Sequence, residues 1–226
     1  MNKTDRLLNK DKLKIIAEQL RKPEGDLAID VAKKMNSGNR LINLSTIEAL
    51  EVKPHDRLLE IGMGNGFFVK DIFALNNSLH YCGCDYAEIM VDESLKNNEQ
   101  LVKVGQAEFH VASADALPFA DHIFDKVFSV NTVYFWEDPE KVLAEIHRVL
   151  SQQGKLVLAL RPKASMEKYP FVKYGFDTFT KNDLTGLLSE NRFSVMNYWE
   201  KEEPEQDIAG KKMKVETLIV SAKKQP

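Results

Sequence analysis

The stretch Arg57-Leu-Leu-Glu60-Ile-Gly62-Met-Gly64-Asn-Gly66-Phe-Phe68 decides the fold of this chain. Its first residues, 57–61, form a short apolar run that predicts a strand, and a helix is predicted to follow over 67–75. Glycine at a strand-to-helix turn allows tight backbone geometry and lets a ligand approach the main chain closely. The stretch therefore predicts a ligand-binding loop between a strand and a helix.

Strand and helix patterns alternate along the chain from this loop. Strands are predicted over 57–61, 79–84, 108–111, 124–130 and 155–160, with helices over 67–75, 87–104 and 139–150. This alternation predicts a parallel sheet with helices on both faces, the doubly wound α/β class. A helix over 181–191 and strands over 193–198 and 215–221 follow. Because no helix separates these two strands, the charged stretch 200–214 is predicted to join them as an antiparallel pair.

Length and pattern together indicate one domain. At roughly 150 residues per domain, the 226 residues fit a single domain over 1–226. Helices near 13–20, 26–35 and 45–50 predict a helical cap over 1–52, the last helix with a capping box formed by Ser45 and Glu48. An aromatic and basic insertion over 162–178 follows the fifth strand. A loop of this length is often functional, so we predict that it forms a lid.

The composition excludes several classes of protein. The 31 basic and 34 acidic residues give a net charge of -3, which argues against nucleic acid as the main partner. The longest purely apolar run, Leu156 to Leu160, is too short for a membrane span. The first residues lack the apolar stretch of a secretory signal, so a cytoplasmic protein is predicted. Cys82 and Cys84 are expected on one face of a strand as buried side chains, and no second cysteine pair indicates a metal site.

Two classes of ligand compete for the glycine loop. A dinucleotide site needs glycine at the first, third and sixth positions of the loop. Here the sixth position is Phe67, and the third glycine comes one residue early, at Gly66. A nicotinamide-dependent oxidoreductase is therefore disfavoured but stays an alternative.

The spacing of Glu60, Gly62, Gly64 and Gly66 resembles that of the class I S-adenosylmethionine-dependent methyltransferases. Asp85 follows at the end of the second predicted strand, and a carboxylate there can accept both hydroxyl hydrogens of a ribose. The family pattern is then matched, in the same order along the chain, by the stretch 113–119, the fourth strand, the helix after it and the fifth strand. The likeness is to the broad small-molecule branch that includes ubiquinone and menaquinone biosynthesis enzymes. It implies a seven-stranded sheet of order 3-2-1-4-5-7-6, with strand seven antiparallel.

The resemblance also implies how S-adenosylmethionine is bound. Asp85 is expected on the ribose, Tyr86 against the adenine, Asp115 on the adenine amino group, and Asn131 with Thr132 near the methionine part. The full set of expected cofactor-binding residues is Glu60, Gly62, Met63, Gly64, Gly66, Asp85, Tyr86, Ala114, Asp115, Ala116, Asn131 and Thr132.

The predicted activity is methyl transfer to a small organic acceptor by in-line displacement, achieved mainly by positioning. Candidate acceptor-binding residues are Asn39, Tyr134, Trp136, Arg161, Tyr169 and Tyr174. An anionic acceptor could be met by Arg161 or Lys168. None of the five histidines is assignable as a general base. A non-catalytic protein that keeps the cofactor site and acts through a protein partner stays an alternative, and either a monomer or a homodimer is compatible with the sequence.

Overall fold

A seven-stranded sheet forms the centre of the computed structural model, which describes residues 3–208 and 211–226, with side chains for 10–206 and 212–226. Its strands and those of a small two-stranded sheet are β1 Arg57–Ile61, β2 His80–Asp85, β3 Ala107–Val111, β4 Phe124–Val130, β5 Leu150–Leu160, β6 Phe193–Glu202, β7 Gln206–Ile208, β8 Lys211–Met213 and β9 Glu216–Lys224. The α-helices are α1 Lys3–Arg21, α2 Ala28–Gly38, α3 Arg40–Leu50, α4 Val69–Leu75, α5 Glu88–Asn97, α6 Glu99–Lys103, α7 Pro139–Val149, α8 Lys163–Met166 and α9 Lys181–Glu190.

The order of the strands is β3-β2-β1-β4-β5-β9-β6. The first five of these are parallel, whereas β9 runs antiparallel to both β5 and β6. Since β9 is the seventh strand of the main sheet along the chain, the predicted order 3-2-1-4-5-7-6 is confirmed. The doubly wound α/β class is confirmed with it.

Both faces of the sheet are covered, as a mostly parallel sheet requires. Leu59 and Ile61 of β1 face a buried cluster that includes side chains of α7 and α9. Leu58 faces the opposite cluster, with side chains of α3, α4 and α5. Cys82 and Cys84 are buried in the first cluster, as predicted, and burial raises the pKa of the Cys82 thiol to about 11. This layering leaves the carboxyl ends of β1, β2 and β4 free to form a site.

Three local predictions were wrong. Ser45 does not cap a helix, because α3 already begins at Arg40 and Ser45 is buried inside it, accepting a hydrogen bond from Lys201. The helix predicted over 87–104 is divided at Asn98, whose side-chain amide donates to the Gly66 carbonyl. The charged connection 200–214 is not a plain loop, since it contains the end of β6 and the antiparallel strands β7 and β8.

The described residues contain neither a membrane-spanning helix nor a cluster of metal ligands. No helix within 3–208 and 211–226 is long and apolar enough to cross a membrane. Among the same residues, no group of three or more His, Cys, Asp or Glu side chains is placed to hold a metal ion.

Candidate functional site

A cavity of about 290 Å³, the first cavity, lies at the carboxyl ends of β1, β2 and β4. Open α/β sheets bind ligands at this edge. The cavity is lined by Leu20, Arg21, Pro23, Met35, Asn39, Ile61, Gly62, Gly64, Asp85, Tyr86, Met90, Ala112, Ser113, Ala114, Asp115, Val130, Asn131, Thr132, Phe135, Trp136, Glu137, Asp138 and Val142.

The glycine loop forms one wall of the first cavity. Gly62 has a φ of +72°, and a Cβ atom there would collide with Cγ2 of Thr132. Gly64 has a φ of +58°, but a Cβ there would meet no heavy atom within 4 Å. Both residues need a backbone conformation that favours glycine. At Gly64 the empty volume opens on the cavity, so its lack of a side chain leaves room for a ligand.

Asp85 is buried at the end of β2 and faces the loop. Its Oδ2 accepts a hydrogen bond from the Gly64 amide at 3.0 Å, and its Oδ1 accepts one from the Ala87 amide at 2.9 Å. Burial raises the pKa of Asp85 to about 6, although these two amides oppose the rise. An ionised carboxylate has about four lone-pair positions. Roughly two therefore stay available to donors in the cavity.

Glu60 lies behind the loop and lines neither of the cavities described here. Its carboxylate accepts a hydrogen bond from the Tyr81 hydroxyl at 2.6 Å, and burial raises its pKa to about 7. Met63, Gly66 and Ala116 are also absent from the lining of both cavities. Gly66 instead packs against Asn98, whose amide nitrogen would lie 2.7 Å from an added Cβ. None of these four predicted residues therefore belongs to the lining of either cavity.

Asp115 also lines the first cavity and is half-buried. Its carboxylate accepts hydrogen bonds from the Ser113 hydroxyl at 2.5 Å and from Lys141 at 3.1 Å. These two donors hold the pKa of Asp115 below its usual value, so the group is ionised at neutral pH. The adjacent Ala114 also lines the cavity.

The carboxyl end of α1 spans the first cavity. Arg21 pairs with Glu137 at 2.5 Å, and its carbonyl accepts a hydrogen bond from the Tyr86 hydroxyl at 2.8 Å. Glu137 lies after β4, and Tyr86 follows β2, so the two contacts connect opposite sides of the cavity through one helix end. The sequence analysis did not assign Arg21 or Glu137 to the site, because each depends on a contact that is distant in the chain.

The end of β4 lies where the first cavity adjoins a second one. Asn131 has a φ of +58°, which is uncommon for a residue other than glycine. Its amide donates to the Ala159 carbonyl at 2.8 Å, and its Oδ1 accepts a hydrogen bond from the Tyr134 hydroxyl at 3.1 Å. Asn131 lines both cavities, as do Leu20, Met35, Asn39 and Phe135.

The second cavity has a volume of about 440 Å³ and a mostly apolar surface. The lining comes mainly from α1, α2 and the segment after β5, in which Phe176 contacts Phe135 with ring centroids 4.6 Å apart. The lining residues are Ile15, Ile16, Gln19, Leu20, Leu27, Val31, Lys34, Met35, Gly38, Asn39, Asn131, Tyr134, Phe135, Arg161, Met166, Tyr169, Phe171, Phe176 and Gln206.

Arg161 supplies the buried charge of the second cavity and is paired within the protein. Its Nε and Nη2 atoms each donate to one carboxylate oxygen of Glu203 at 2.8 Å. Nη1 donates to Oδ1 of Asn39 at 3.0 Å, and Nη2 also donates to the Gly38 carbonyl at 2.9 Å. Glu203 further accepts from Gln206, which in turn accepts from the Tyr169 hydroxyl. Four of the guanidinium's five N–H groups thus have protein partners.

The structure brings most of the predicted site residues together. Eight of the predicted cofactor residues line the first cavity: Gly62, Gly64, Asp85, Tyr86, Ala114, Asp115, Asn131 and Thr132. Of the predicted acceptor residues, Asn39, Tyr134, Arg161 and Tyr169 line the second cavity, Trp136 lines the first, and Tyr174 lines neither. Gln206 was missed, because it lies in the charged connection that the sequence analysis treated as a loop.

The fold and this edge together define a class: a doubly wound α/β protein with a glycine loop after β1 and a buried acid that ends β2. Comparison with known proteins agrees with it. A family model described as a methyltransferase domain matches residues 59–158. The uncharacterized methyltransferase YdaC of Bacillus subtilis is 31% identical over 137 residues, which are 59% of this chain and 74% of YdaC.

Two further relatives extend the likeness. The demethylmenaquinone methyltransferase of Clavibacter sepedonicus is 29% identical over 164 residues, 70% of this chain and 62% of that protein. The solved structure of a SAM dependent methyltransferase from Aquifex aeolicus superimposes with a TM-score of 0.66 at 20% identity, over 88% of this chain and 99% of that one. The chain belongs to the class I S-adenosylmethionine-dependent methyltransferases. It is thus an enzyme that uses S-adenosylmethionine, and the nicotinamide-dependent alternative is set aside.

The first cavity suits this cofactor in its charges as well as its shape. Asp85, Asp115, Glu137 and Asp138 are acidic, whereas Arg21 is the one Lys or Arg among the described lining residues and is itself paired with Glu137. A negative surface favours a ligand that carries a positively charged sulfonium. The unpaired positions of Asp85 and the open space at Gly64 fit a ribose beside the backbone.

We expect the two loop glycines to respond differently to alanine. Gly62→Ala should lower the free energy of unfolding by about 1–3 kcal/mol beyond the backbone strain, because the new methyl group collides with Thr132. Gly64→Ala meets no protein atom, so it should mainly weaken the binding of S-adenosylhomocysteine, by roughly tenfold or more. Urea unfolding measures the first effect and calorimetric titration the second.

Gly105→Ala is the matched control, since Gly105 also has a positive φ of +73° with no heavy atom nearby and lies in neither cavity. It should show the cost of backbone strain alone, on the order of 1–2 kcal/mol. Equal affinity for S-adenosylhomocysteine in Gly64→Ala and Gly105→Ala would contradict the placement of the cofactor beside Gly64.

We propose that ionised Asp85 accepts the ribose hydroxyls, so cofactor binding should depend on pH. Because the pKa of Asp85 is about 6, the carboxylate takes up a proton as the pH falls through that value and loses its free acceptor positions. The dissociation constant of S-adenosylhomocysteine should then rise by up to about tenfold per pH unit. Asp85→Asn should bind roughly 10–100-fold more weakly at neutral pH and show no such step. Calorimetry across this range measures both.

Unfolding at low pH would not explain this predicted rise in the dissociation constant. The pKa of Asp85 is raised relative to an unfolded chain, so its own contribution to stability is fully present at low pH and is lost as the pH rises through about 6. Circular dichroism at each pH serves as the control. A step of equal size in wild type and Asp85→Asn would argue against this role.

Proposed function

We propose that this enzyme transfers the methyl group of S-adenosylmethionine to a small, neutral, mainly apolar molecule with a ring, held in the second cavity. The observation that carries the proposal is that the two cavities adjoin at Asn39, Asn131 and Phe135, which line both. At this junction a methyl donor in the first cavity and an acceptor in the second would come into direct contact. A relative named for demethylmenaquinone supports an acceptor of this class.

In this proposal the first cavity orients the cofactor by contacts along its length. Asp85 binds the ribose, Asp115 accepts from the adenine amino group, and Tyr86 lies beside the adenine. The backbone at Gly62 and Gly64 lies along the cofactor, and Asn131 with Thr132 borders its methionine part. These assignments are supported by the lining of the cavity, to which every one of these residues contributes. When bound, the cofactor supplies a methyl group already activated by positive sulfur.

The second cavity supports an acceptor with a flat apolar part. Phe135 and Phe176 form an aromatic wall, and the Tyr134 ring lies 6.1 Å from Phe135 and 6.0 Å from Phe176. Ring contacts at such separations stabilise more than the buried area alone. Leu27 and Ile16 extend the apolar surface toward α1 and α2. An acceptor ring would therefore replace water on a surface that offers few polar partners.

Neither cation suggested for an anionic acceptor supports that role. The charge of Arg161 is balanced by Glu203, whose side chain is 2% exposed, through two parallel hydrogen bonds. Lys168 does not line the cavity, and its ammonium donates to the Lys214 carbonyl at 2.6 Å. Transfer of an unpaired carboxylate into this apolar space would be costly. Lys34, the other cation that lines this cavity, is exposed. The proposal is therefore an acceptor that is uncharged in solution, in place of a carboxylate.

Positioning accounts for the chemistry that this proposal requires. Among the described residues, no His, Asp or Glu lines the second cavity. Burial raises the pKa of the Tyr134 phenol, so it does not serve as a base at neutral pH. Holding acceptor and methyl donor in line, with water displaced, can lower the barrier by about 7–11 kcal/mol. The protein's part is to align the two molecules at the junction of the two cavities.

We expect Phe176→Ala to weaken binding of the acceptor without affecting binding of the cofactor. Purified enzyme with methyl-labelled S-adenosylmethionine should methylate a neutral ring compound such as naphthol and not naphthoic acid. Loss of the Phe176 ring should raise the KM for the acceptor roughly 10–100-fold, because about 2–3 kcal/mol of apolar contact is lost. Calorimetry should show an unchanged dissociation constant for S-adenosylhomocysteine.

Tyr174→Ala is the matched control, because Tyr174 is an aromatic residue of the same segment that lines neither cavity. It should leave the KM within about twofold of wild type. Equal effects of the two substitutions, or a preference for naphthoic acid, would count against the second cavity as the acceptor site.

We also propose that the helical cap over 1–52 and the segment over 162–178 cover the acceptor, with the latter acting as a lid. The support is that α1, α2 and the segment each contribute residues to the second cavity. S-adenosylhomocysteine together with naphthol should slow trypsin cleavage after Lys163, Lys168 and Lys173, measured by mass spectrometry. Cleavage after Lys103, at the end of α6, should keep its rate. Unchanged cleavage at the first three sites would exclude a closing lid.

A further inference from the structure

Asn39 holds a fixed position at the junction of the two cavities. It is the single residue between α2 and α3. Its amide donates to the Met35 carbonyl at 2.8 Å, and its carbonyl accepts from the amide of Asn43 at 3.0 Å and from the side chain of Asn43 at 2.8 Å. The backbone of Asn39 thus forms hydrogen bonds through both its amide and its carbonyl, and the residue lines both cavities.

Arg161 decides how the side-chain amide of Asn39 is oriented. The Arg161 Nη1 atom lies 3.0 Å from the Asn39 side chain. A guanidinium can only donate hydrogen bonds, so the atom that faces it must be Oδ1 and not Nδ2. Glu203 holds the guanidinium by two parallel bonds, which leaves it little freedom to turn. Arg161 and Glu203 are positioning residues that direct the NH₂ group of Asn39 away from themselves.

The side-chain amide of Asn131 is the second amide at the junction of the two cavities. The Tyr134 hydroxyl, which accepts a hydrogen bond from the Arg161 amide, lies 3.1 Å from both Oδ1 of Asn131 and the Arg161 carbonyl, and its one hydrogen is shared between these two acceptors. Neither Nδ2 of Asn131 nor Nδ2 of Asn39 has a hydrogen-bond partner among the described residues. Both residues line both cavities. The junction therefore presents the NH₂ groups of two amides, and the oxygen of the first, Asn39, is already engaged by Arg161.

Donors without a matching acceptor favour one kind of reacting atom. An ionised oxygen in apolar surroundings needs hydrogen-bond donors, and such charge-assisted bonds are about twice as strong as neutral ones. A neutral amine would place its own N–H groups against donors, and no carboxylate or imidazole among the described lining residues of the second cavity could accept them. The junction is therefore suited to an oxygen that has lost its proton.

We propose that Asn39, together with Asn131, binds the oxygen of a phenol- or enol-type acceptor as its oxyanion; this inference rests on the proposed function. The acceptor hydroxyl releases its proton to water before transfer. A lone pair of the oxygen then forms the new C–O bond to the methyl carbon as the C–S bond breaks, and the electron pair of that bond stays on sulfur. Stabilisation of the oxyanion by the amides takes the place of a protein base.

The ionisation of bound para-nitrophenol tests this directly, because its phenolate absorbs visible light. With wild type saturated by S-adenosylhomocysteine, the midpoint of ionisation should move toward acid by about one pH unit, equivalent to a tenfold preference for the phenolate. Asn39→Asp keeps an oxygen for Arg161 but removes the NH₂ donor, so the midpoint should return to the solution value or move toward alkali. Asn39→Ala, which introduces no charge, should also abolish the shift.

The non-ionising analogue para-nitroaniline is the shape-matched control and should bind wild type and both variants alike. In methyl transfer to naphthol, Asn39→Asp should lower kcat/KM roughly 10–100-fold at neutral pH. The loss should shrink as the pH rises and phenolate forms in solution, a pH profile that a purely structural role would not produce. Calorimetry with S-adenosylhomocysteine separately reports the cofactor site.

Three results would overturn the inference. They are an equal shift of the midpoint in wild type and Asn39→Asp, no shift for para-nitrophenol while S-adenosylhomocysteine binds normally, and a kcat/KM that falls equally at every pH. Failure of S-adenosylhomocysteine to bind would overturn the proposed function itself, and it is read from the separate titration.

Discussion

The pair of Arg161 and Glu203 is the interaction on which the second cavity depends. Removing two charges from water is costly, and the cost is offset only when their remaining hydrogen-bonding groups are satisfied. Here the partners come from the α2–α3 joint at Gly38 and Asn39, and from Thr217 in β9, whose hydroxyl donates to Glu203 at 2.7 Å. One buried pair thus ties segments from both ends of the chain to the end of β5.

The same pair explains how a neutral surface and a directed donor can coexist. A charge that is balanced by a buried carboxylate adds little net attraction for anions, yet its geometry still fixes the neighbour that it contacts. Asn39 takes its orientation from Arg161, and Tyr134 connects the Arg161 backbone to Asn131. The ion pair therefore affects the junction of the two cavities by orienting neighbouring side chains through hydrogen bonds, and not by long-range attraction of a charged ligand.

Much of the fold and of the first cavity could be predicted from the sequence because their determinants are local. The loop glycines and Asp85 lie within or next to strands whose apolar runs are continuous, so their places along the sheet edge follow from the α/β pattern. The predictions that failed concern residues whose positions depend on contacts with distant parts of the chain. Ser45 has the pattern of a cap but is buried within α3, and Gln206 reaches the second cavity only because β7 and β8 fold back. No local pattern encodes the partnership of Arg161 with Glu203.

The division of the lining between two parts of the chain has an evolutionary consequence. The stretch 59–158 that matches the family model contains most of the first cavity, whereas the second is lined mainly by α1, α2, the residues 161–176 and Gln206. Mutations in these flanking segments can remodel the acceptor surface while β1, β2 and the glycine loop stay unchanged. Selection can thus act on the two binding surfaces almost independently. Enzymes that share one cofactor-binding site can therefore evolve to use new acceptors through mutations in the flanking segments.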